Sequence, residues 1–145
     1  MATPTNLSNI YSAGLNNVGS YQVSGVPFCS GAIDVNSYGA SGVKIEFPYV
    51  TSWVEIINVD TGGEALYVGF SQAGVQGSNR FTIQQFNTGF GAPISDPLPI
   101  KVTEIWLSGA CDSADIVAGL TYLPVQQVTN VSPSGPNWSG SVGVG

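Results

Sequence analysis

Charged side chains are scarce in this chain of 145 residues, and histidine is absent. Asp, Glu, Lys and Arg together make up 8% of the sequence, against about 25% in ordinary soluble domains. A small enzyme normally relies on titratable side chains for acid–base chemistry and on charge for solubility. The scarcity of both favours a subunit of a shell or fibre, whose surface is covered by neighbouring molecules, over a catalyst.

The missing residue types exclude most catalytic and metal-binding motifs. Without histidine there is no Ser-His-Asp or Cys-His arrangement and no paired-histidine zinc motif. Two isolated cysteines, Cys29 and Cys111, cannot form the usual zinc site. They are interpreted as buried or half-buried thiols, with a long-range disulfide in an oxidising compartment as the alternative. We therefore expect no catalytic residue, no cofactor and no metal.

Positive charge is too sparse for a nucleic-acid or membrane ligand. The formal net charge is −6, and the only cations are Lys44, Arg80 and Lys101, which lie far apart in the sequence. Binding to nucleic acid or to anionic lipid needs clustered Lys and Arg. No apolar run reaches the ~18 residues of a membrane-spanning helix, and no secretory signal is visible. We expect neither nucleic-acid binding nor direct membrane insertion.

The remaining composition predicts one β-rich domain between two uncharged arms. Residues 1–20 and 125–145 are rich in Asn, Ser, Gly, Thr and Pro, which is typical of segments that fold weakly in isolation. They are interpreted as extended N-terminal and C-terminal arms that flank a domain at residues 21–124. The large side chains expected to anchor the arms on neighbouring subunits are Leu7, Ile10, Tyr11 and Trp138.

Short runs of β-branched and aromatic residues between turn signals predict about eight strands. The clearest are Val43–Phe47, Val50–Val59, Ala65–Ser71, Arg80–Phe86, Ile100–Leu107 and Ile116–Leu123, and weaker ones are Tyr21–Ser24 and Ala32–Val35. Asp60-Thr61-Gly62-Gly63 is expected to be the turn of a hairpin that joins the second and third of these strands. The pattern indicates an all-β fold, a sandwich or barrel of antiparallel strands, and eight strands in two sheets is the jelly-roll number.

The apolar residues of the strongest strands form the predicted core. Trp53 and Trp106 fall inside apolar strands, so they too are expected to pack inside. The other predicted core residues are Val54, Ile56, Leu66, Val68, Ile105, Leu107, Val117 and Leu120.

Three acidic motifs are the remaining candidate sites, and three sequons also occur, as chance predicts in a chain rich in Asn and Ser. Asp60-Thr61-Gly62 matches the tripeptide of aspartic proteases, which need two carboxylates that share a proton, although the turn explains each of its residues. Asp112 and Asp115 form the only close acidic pair and are expected to stabilise a loop. Single acids on strands, including Glu46, Glu55 and Glu104, are ordinary surface residues unless two of them face each other as in a glycosidase. Asn6, Asn130 and Asn137 each begin an Asn-x-Ser sequon.

Much of the chain resembles a viral capsid family. Four segments carry the resemblance: Phe47–Val75, Arg80–Ile83, Pro97–Gly109 and Asp115–Pro124, with VGFS-x-AGV and AGLTYLP as the most distinctive stretches. They are similar to the vertex (penton) proteins of large icosahedral double-stranded DNA viruses of the chlorella-virus type.

That resemblance implies a fold, an assembly and a set of partners. It implies a single jelly roll, five copies of which plug each five-fold vertex of the virion. The expected partners are further copies in a homo-pentamer and the neighbouring major and minor capsid proteins, with assembly in the host cell cytoplasm. The vertex position would also suit contact with a glycan or an attachment fibre.

Two other functions stay open on the sequence. A β-sandwich lectin or fibre head would bind glycans through exposed aromatic residues and a preformed cleft. An aspartic protease would form as a dimer with one Asp60 from each copy. The capsid interpretation is the one that also accounts for the missing histidine, the low charge and the uncharged arms.

Overall fold

The computed structural model of the protein describes residues 25–85, 93–129 and 135–145. Within these ranges it is mainly β-structure with two short α-helices, α1 (Gln72–Gln76) and α2 (Gln126–Thr129), and a 3-10 segment at Asn36–Ser41. The strands are β1 Val26–Ile33, β2 Val43–Glu46, β3 Thr51–Asn58, β4 Leu66–Gly69, β5 Arg80–Ile83, β6 Glu104–Gly109 and β7 Ala114–Leu120.

The strands form two antiparallel sheets. One has three strands in the order β1-β7-β3, and the other has four in the order β2-β6-β4-β5. Residues 93–98, here called the edge segment, extend the three-stranded sheet beside β3. Isolated bridges join Ile94 to Ile57 and Leu98 to Val54. The expectation of an all-β fold with antiparallel strands is confirmed.

Side chains that alternate along the strands fill the space between the sheets. Val54 and Ile56 of one sheet and Ile105 and Leu107 of the other are fully buried in a single apolar cluster. The predicted strand-core residues are buried except Val117, Trp53 and Trp106, which are half-buried and for which the prediction is wrong. On β7 the buried positions are Ala114, Ile116, Ala118 and Leu120. The period of two therefore turns Val117 to the outer side.

The predicted hairpin around Asp60 is wrong. β3 is hydrogen-bonded to β7 on one side and to the edge segment on the other, while β4 is hydrogen-bonded to β5 and β6. The two strands are neighbours in sequence but belong to different sheets. Both edges of each strand are taken by other partners, so residues 59–65 form a connection from one sheet to the other.

Two further strand predictions differ from the structure in their bounds. The segment Ala32–Val35 was expected to be a strand, but β1 lies earlier and ends at an irregularity where Ala32 has a φ of 54°. Asp115 Oδ1 accepts a hydrogen bond from Ala32 N (2.8 Å), which stabilises this bend. The strand expected at Ile100–Leu107 begins only at Glu104. The predicted strand at Tyr21–Ser24 lies outside the described residues.

The outer side of the four-stranded sheet is covered by the chain itself. The 3-10 segment and α1 contact β6, and α1 also contacts β4. Gly69 on β4 permits this approach, because a Cβ there would lie 2.9 Å from Val75 N. Residues 135–145, expected to be part of an extended arm, instead form a series of turns that pack on the same sheet.

Candidate functional site

Asp60 is a buried carboxylate held by the backbone of its own chain. Its exposed fraction is 1%. Oδ1 accepts from Asp112 N (3.0 Å) and Oδ2 accepts from Glu64 N (2.9 Å). The hydrogen bond from Asp112 N, then that from Glu64 N, hold the pKa of Asp60 below its ordinary value, and burial opposes them.

This geometry gives Asp60 a structural role. Its carboxylate joins the β3–β4 connection to the loop between β6 and β7, and both of its oxygens accept backbone hydrogen bonds. A protease carboxylate must instead share a proton with a second carboxylate and face a substrate. The contacts of Asp60 within one copy give the protease alternative no support.

Asn58 completes this cluster, and no sequence motif marks it as a functional residue. Asn58 is fully buried at the end of β3. Its amide Nδ2 donates to Glu64 O (2.9 Å) and Ile83 O (3.1 Å). Its Oδ1 accepts from Asp60 N (3.1 Å) and from Cys111 Sγ (3.3 Å). Asn58 thereby links the end of β3 to the β3–β4 connection and to β5 of the other sheet.

The two cysteines are free thiols in different surroundings. Cys111 is buried and also donates to Ser113 O (3.1 Å), and burial is the main reason that its pKa is raised. Cys29 is exposed on the outer side of β1, so the expectation that it is buried or half-buried is wrong.

The other acids do not form a single cluster, although Glu46 and Glu104 approach the same lysine; Glu104 is buried, so the expectation that it is an ordinary surface residue is wrong. Asp112 Oδ1 accepts from Asn36 Nδ2 (3.3 Å), whereas Asp115 bonds Ala32 N. Glu46 and Glu104 face each other on β2 and β6, with Lys44 Nζ 2.7 Å from Glu46 and 4.0 Å from Glu104. The hydrogen bond to Glu46 is the main reason that the pKa of Lys44 is raised. No group of three or more potential metal ligands occurs in the described ranges.

Trp138 lies against its own chain beside a buried asparagine. Asn137 Oδ1 accepts from Thr103 N (2.6 Å) and Thr103 Oγ1 (3.0 Å), and Nδ2 donates to Glu104 O. Trp138 is half-buried and, with Phe70 and Val102, lines an apolar groove of about 360 Å³. The sequence marked Asn137 only as a sequon, since its partners are more than 30 positions away.

The other predicted interface residues lie outside the described part of the chain. Leu7, Ile10 and Tyr11 belong to residues 1–24, which the structure does not describe. Their role as anchors therefore stays a prediction, and so does the role of Trp138 toward a neighbouring subunit.

A polar pocket lies beside β5 on the four-stranded sheet. Its volume is about 270 Å³, and Asn36, Tyr67, Gln76 and Arg80 are among its lining residues. The Arg80 guanidinium carbon stands 3.9 Å from the centroid of the Tyr67 ring, and Nη1 donates to Val75 O (2.9 Å). These contacts hold the guanidinium of Arg80, the only cation among the residues that line the pocket, in one position.

The outer side of the three-stranded sheet carries apolar residues that face away from the core; we call it the open face. Trp53, Ile57 and Val117 are half-buried there, and Ile94 of the edge segment is 54% exposed. The expectation that Trp53 is a core residue is therefore wrong. Trp106 is likewise half-buried on the outer side of the other sheet, where Nε1 donates to Glu104 Oε1 (3.0 Å).

The open face has no cover within the described residues comparable to that of the other sheet. The 3-10 segment and α1 make their main contacts with β4, β6 and each other. Apolar side chains on a sheet face without such a cover are consistent with a binding surface for another protein.

Comparison with known proteins does not assign a function to these surfaces. No family model, no curated protein and no solved structure matches the chain. Within the described residues, every helix is too short or too polar to span a lipid bilayer.

Proposed function

We propose that this chain is a structural capsid subunit, five copies of which form the vertex of an icosahedral viral shell. Its fold under this proposal is a single jelly roll. The proposal extends the sequence resemblance over residues 47–124, and the observation that carries it is the order in which the strands pair.

The pairing order supports a jelly roll when the edge segment is counted as a strand. The eight segments then pair first with last (β1 with β7), second with seventh (β2 with β6), third with sixth (β3 with the edge segment) and fourth with fifth (β4 with β5). A long antiparallel hairpin that is rolled into two sheets has this order.

Three surface properties support an assembly role. Charged residues are depleted at the cores of protein interfaces, and this chain has few of them. The acids that the sequence singled out have partners in their own chain, as described for Asp60, Asp112 and Glu104. The open face provides apolar area on a rigid sheet. A subunit whose function is to bind its neighbours needs such a surface and no catalytic group.

The mass of the protein in solution tests the proposal. Light scattering after size exclusion, repeated over a range of concentrations, is expected to give a closed pentamer. A dimer would contradict the vertex proposal and would justify a protease assay at acid pH with Asp60→Asn as its control. A monomer would leave shell incorporation as the deciding measurement.

Glycan binding is a second candidate, and the Arg80 pocket is the observation that favours it. A guanidinium over a tyrosine ring, with Asn36 and Gln76 nearby, offers hydrogen-bond donors and a cation to an acidic sugar. Tyr38 and Tyr122 are also exposed, at 53% and 64%. A glycan array is expected to give signals that Arg80→Ala abolishes; an array without any signal would contradict this candidate.

A further inference from the structure

The outward-facing acids of the open face and the strand cations Lys44 and Arg80 lie on different sheets, and the four-stranded sheet also carries the acids Glu46 and Glu104. Glu55 on β3 and Asp115 on β7 are at outward-facing positions of the open face, and Asp96 is exposed on the edge segment. Lys44 is on β2 and Arg80 on β5, both in the four-stranded sheet. The third cation, Lys101, is exposed beyond the edge segment, next to Val102, whose O accepts from Thr51 N at the start of β3 (3.0 Å). None of the three cations, all of which lie in the described ranges, belongs to β1, β3, β7 or the edge segment itself.

This distribution of charge disfavours a contact in which two copies cover each other's open face. If two copies joined through the same face, Glu55 and Asp115 of one copy would lie opposite the same acids of the other. Like charges placed opposite each other in an interface are strongly unfavourable. A partner surface that presents cations would therefore complement this face better than a second open face would.

The chain presents cations on its other side, and Arg80 is the best placed of them. Arg80 is exposed, and its contacts with Tyr67 and Val75 O hold the guanidinium in one position. A preordered cation loses less conformational freedom on binding. Lys44 is less available, because it already pairs with Glu46 and Glu104.

We propose that the open face of one copy binds the Arg80 side of the next copy. Trp53, Ile57 and Ile94 supply the apolar centre of this contact, and Glu55 with Asp115 supplies the charges that face Arg80. The contact joins two different surfaces, so it is heterologous and can repeat around a ring. The number of copies in the ring rests on the proposed function. The identity of the two surfaces does not depend on it.

Charge reversal on the full-length protein tests the contact. Glu55→Lys places a cation opposite Arg80 and leaves Asp115 as the remaining acid, and Arg80→Glu places an acid opposite Glu55 and Asp115. Each single variant is expected to raise the dissociation constant of the assembly by about tenfold or more. The double variant restores opposite charges and is expected to return toward the wild-type value. A contact through identical faces would not be rescued in this way.

A matched control separates the contact from net charge and from folding. Glu64→Lys makes the same change of charge at an exposed position in the β3–β4 connection, and it is expected to assemble like the wild type. Thermal unfolding midpoints of all variants confirm that each of them folds.

The outcomes separate this contact from the vertex proposal. Pentamers that are insensitive to Glu55→Lys would overturn the contact and leave the vertex proposal standing; the face would then be covered by something uncharged, such as residues 1–24. Dimers or open chains that respond to both single variants and are rescued by the double variant would support the contact and contradict the pentamer. A wild-type protein that stays monomeric at every concentration would overturn the contact, and shell incorporation would judge the vertex proposal.

Discussion

At the residue scale, one buried carboxylate joins loops that are distant in the sequence. Asp60 accepts backbone hydrogen bonds from Glu64 and from Asp112. Leaving a buried N–H group without its acceptor costs more free energy than the hydrogen bond itself contributes to folding. The polar turn that the sequence indicated is therefore a joint between the β3–β4 connection and the β6–β7 loop.

The lowered pKa of Asp60 makes its contribution to stability depend on pH. The folded value lies below the unfolded value of about 3.9, so the unfolded chain binds more protons as the pH falls. The contribution is complete above about pH 5 and is lost as the pH falls below about 4 toward the folded value.

Asp60→Asn is expected to lower the free energy of unfolding at neutral pH by about 1–3 kcal/mol, since one backbone N–H loses its acceptor. The difference between the wild type and this variant should shrink in acid. Urea denaturation between pH 3 and pH 7 measures both effects, with Asp96→Asn at an exposed site as the control. A difference that does not change with pH would show that Asp60 acts without its charge.

At the element scale, alternation within β7 decides which side chains stabilise the sandwich. Ile116 is 2% exposed between the sheets, while its neighbour Val117 is half-buried on the open face. Removing a buried Ile or Leu side chain costs the transfer free energy of its atoms and leaves a cavity.

Ile116→Ala is expected to cost about 2–5 kcal/mol and Val117→Ala clearly less, as measured by chemical denaturation. Ile56→Ala and Leu107→Ala should behave like Ile116→Ala, and Ser141→Ala in the C-terminal turns should have little effect. Equal unfolding midpoints for Ile116→Ala and Val117→Ala would contradict the assignment of the two faces.

The sequence predicted the positions of the strands better than it predicted which strands pair with each other, because strand signals are local. Alternation and β-branched residues located β2 and β3 within a few positions. The turn residues after β3 suit a hairpin and a crossing between sheets equally well, so they could not decide which strand β3 joins. The run at residues 50–59 is apolar on both sides of the strand, and so the outward direction of Trp53 could not be read from it.

The candidate sites were less predictable than the strands, because their residues come from distant segments. Asn137 bonds residues 103 and 104, and Asn58 bonds residues 64, 83 and 111. No spacing rule connects such positions. The open face became visible only when the register placed Trp53 beside Gly119 and Ile57 beside Ile94.

At the scale of the whole molecule, the described part of the chain covers the outer side of the four-stranded sheet and leaves the open face without a comparable cover. Ser71 Oγ donates to Val144 O (2.8 Å) and Gly145 O (2.9 Å), which attaches the C-terminal turns to the four-stranded side. The N-terminal arm, with Leu7, Ile10 and Tyr11 as its expected anchors, lies outside the described residues and stays a prediction from the sequence.

Deletion of residues 1–20 is therefore expected to abolish incorporation into shells without unfolding the sandwich. The thermal unfolding midpoint and the circular dichroism spectrum of the truncated protein should match those of the full chain, while co-sedimentation with assembled shells is lost. Unchanged incorporation would refute the role of the arm.

The position of β7 between β1 and β3 also constrains how the protein is synthesised. Val26 and Thr51 both pair with Leu120, so β1 and β3 have no strand between them until residues 114–120 have left the ribosome. At about 5–20 residues per second this delay is on the order of 10 s, during which unpaired strand edges are exposed. A truncated chain cannot assemble the sheet that carries Trp53, Glu55 and Ile57. Only a chain translated through β7 can present the open face to a neighbour.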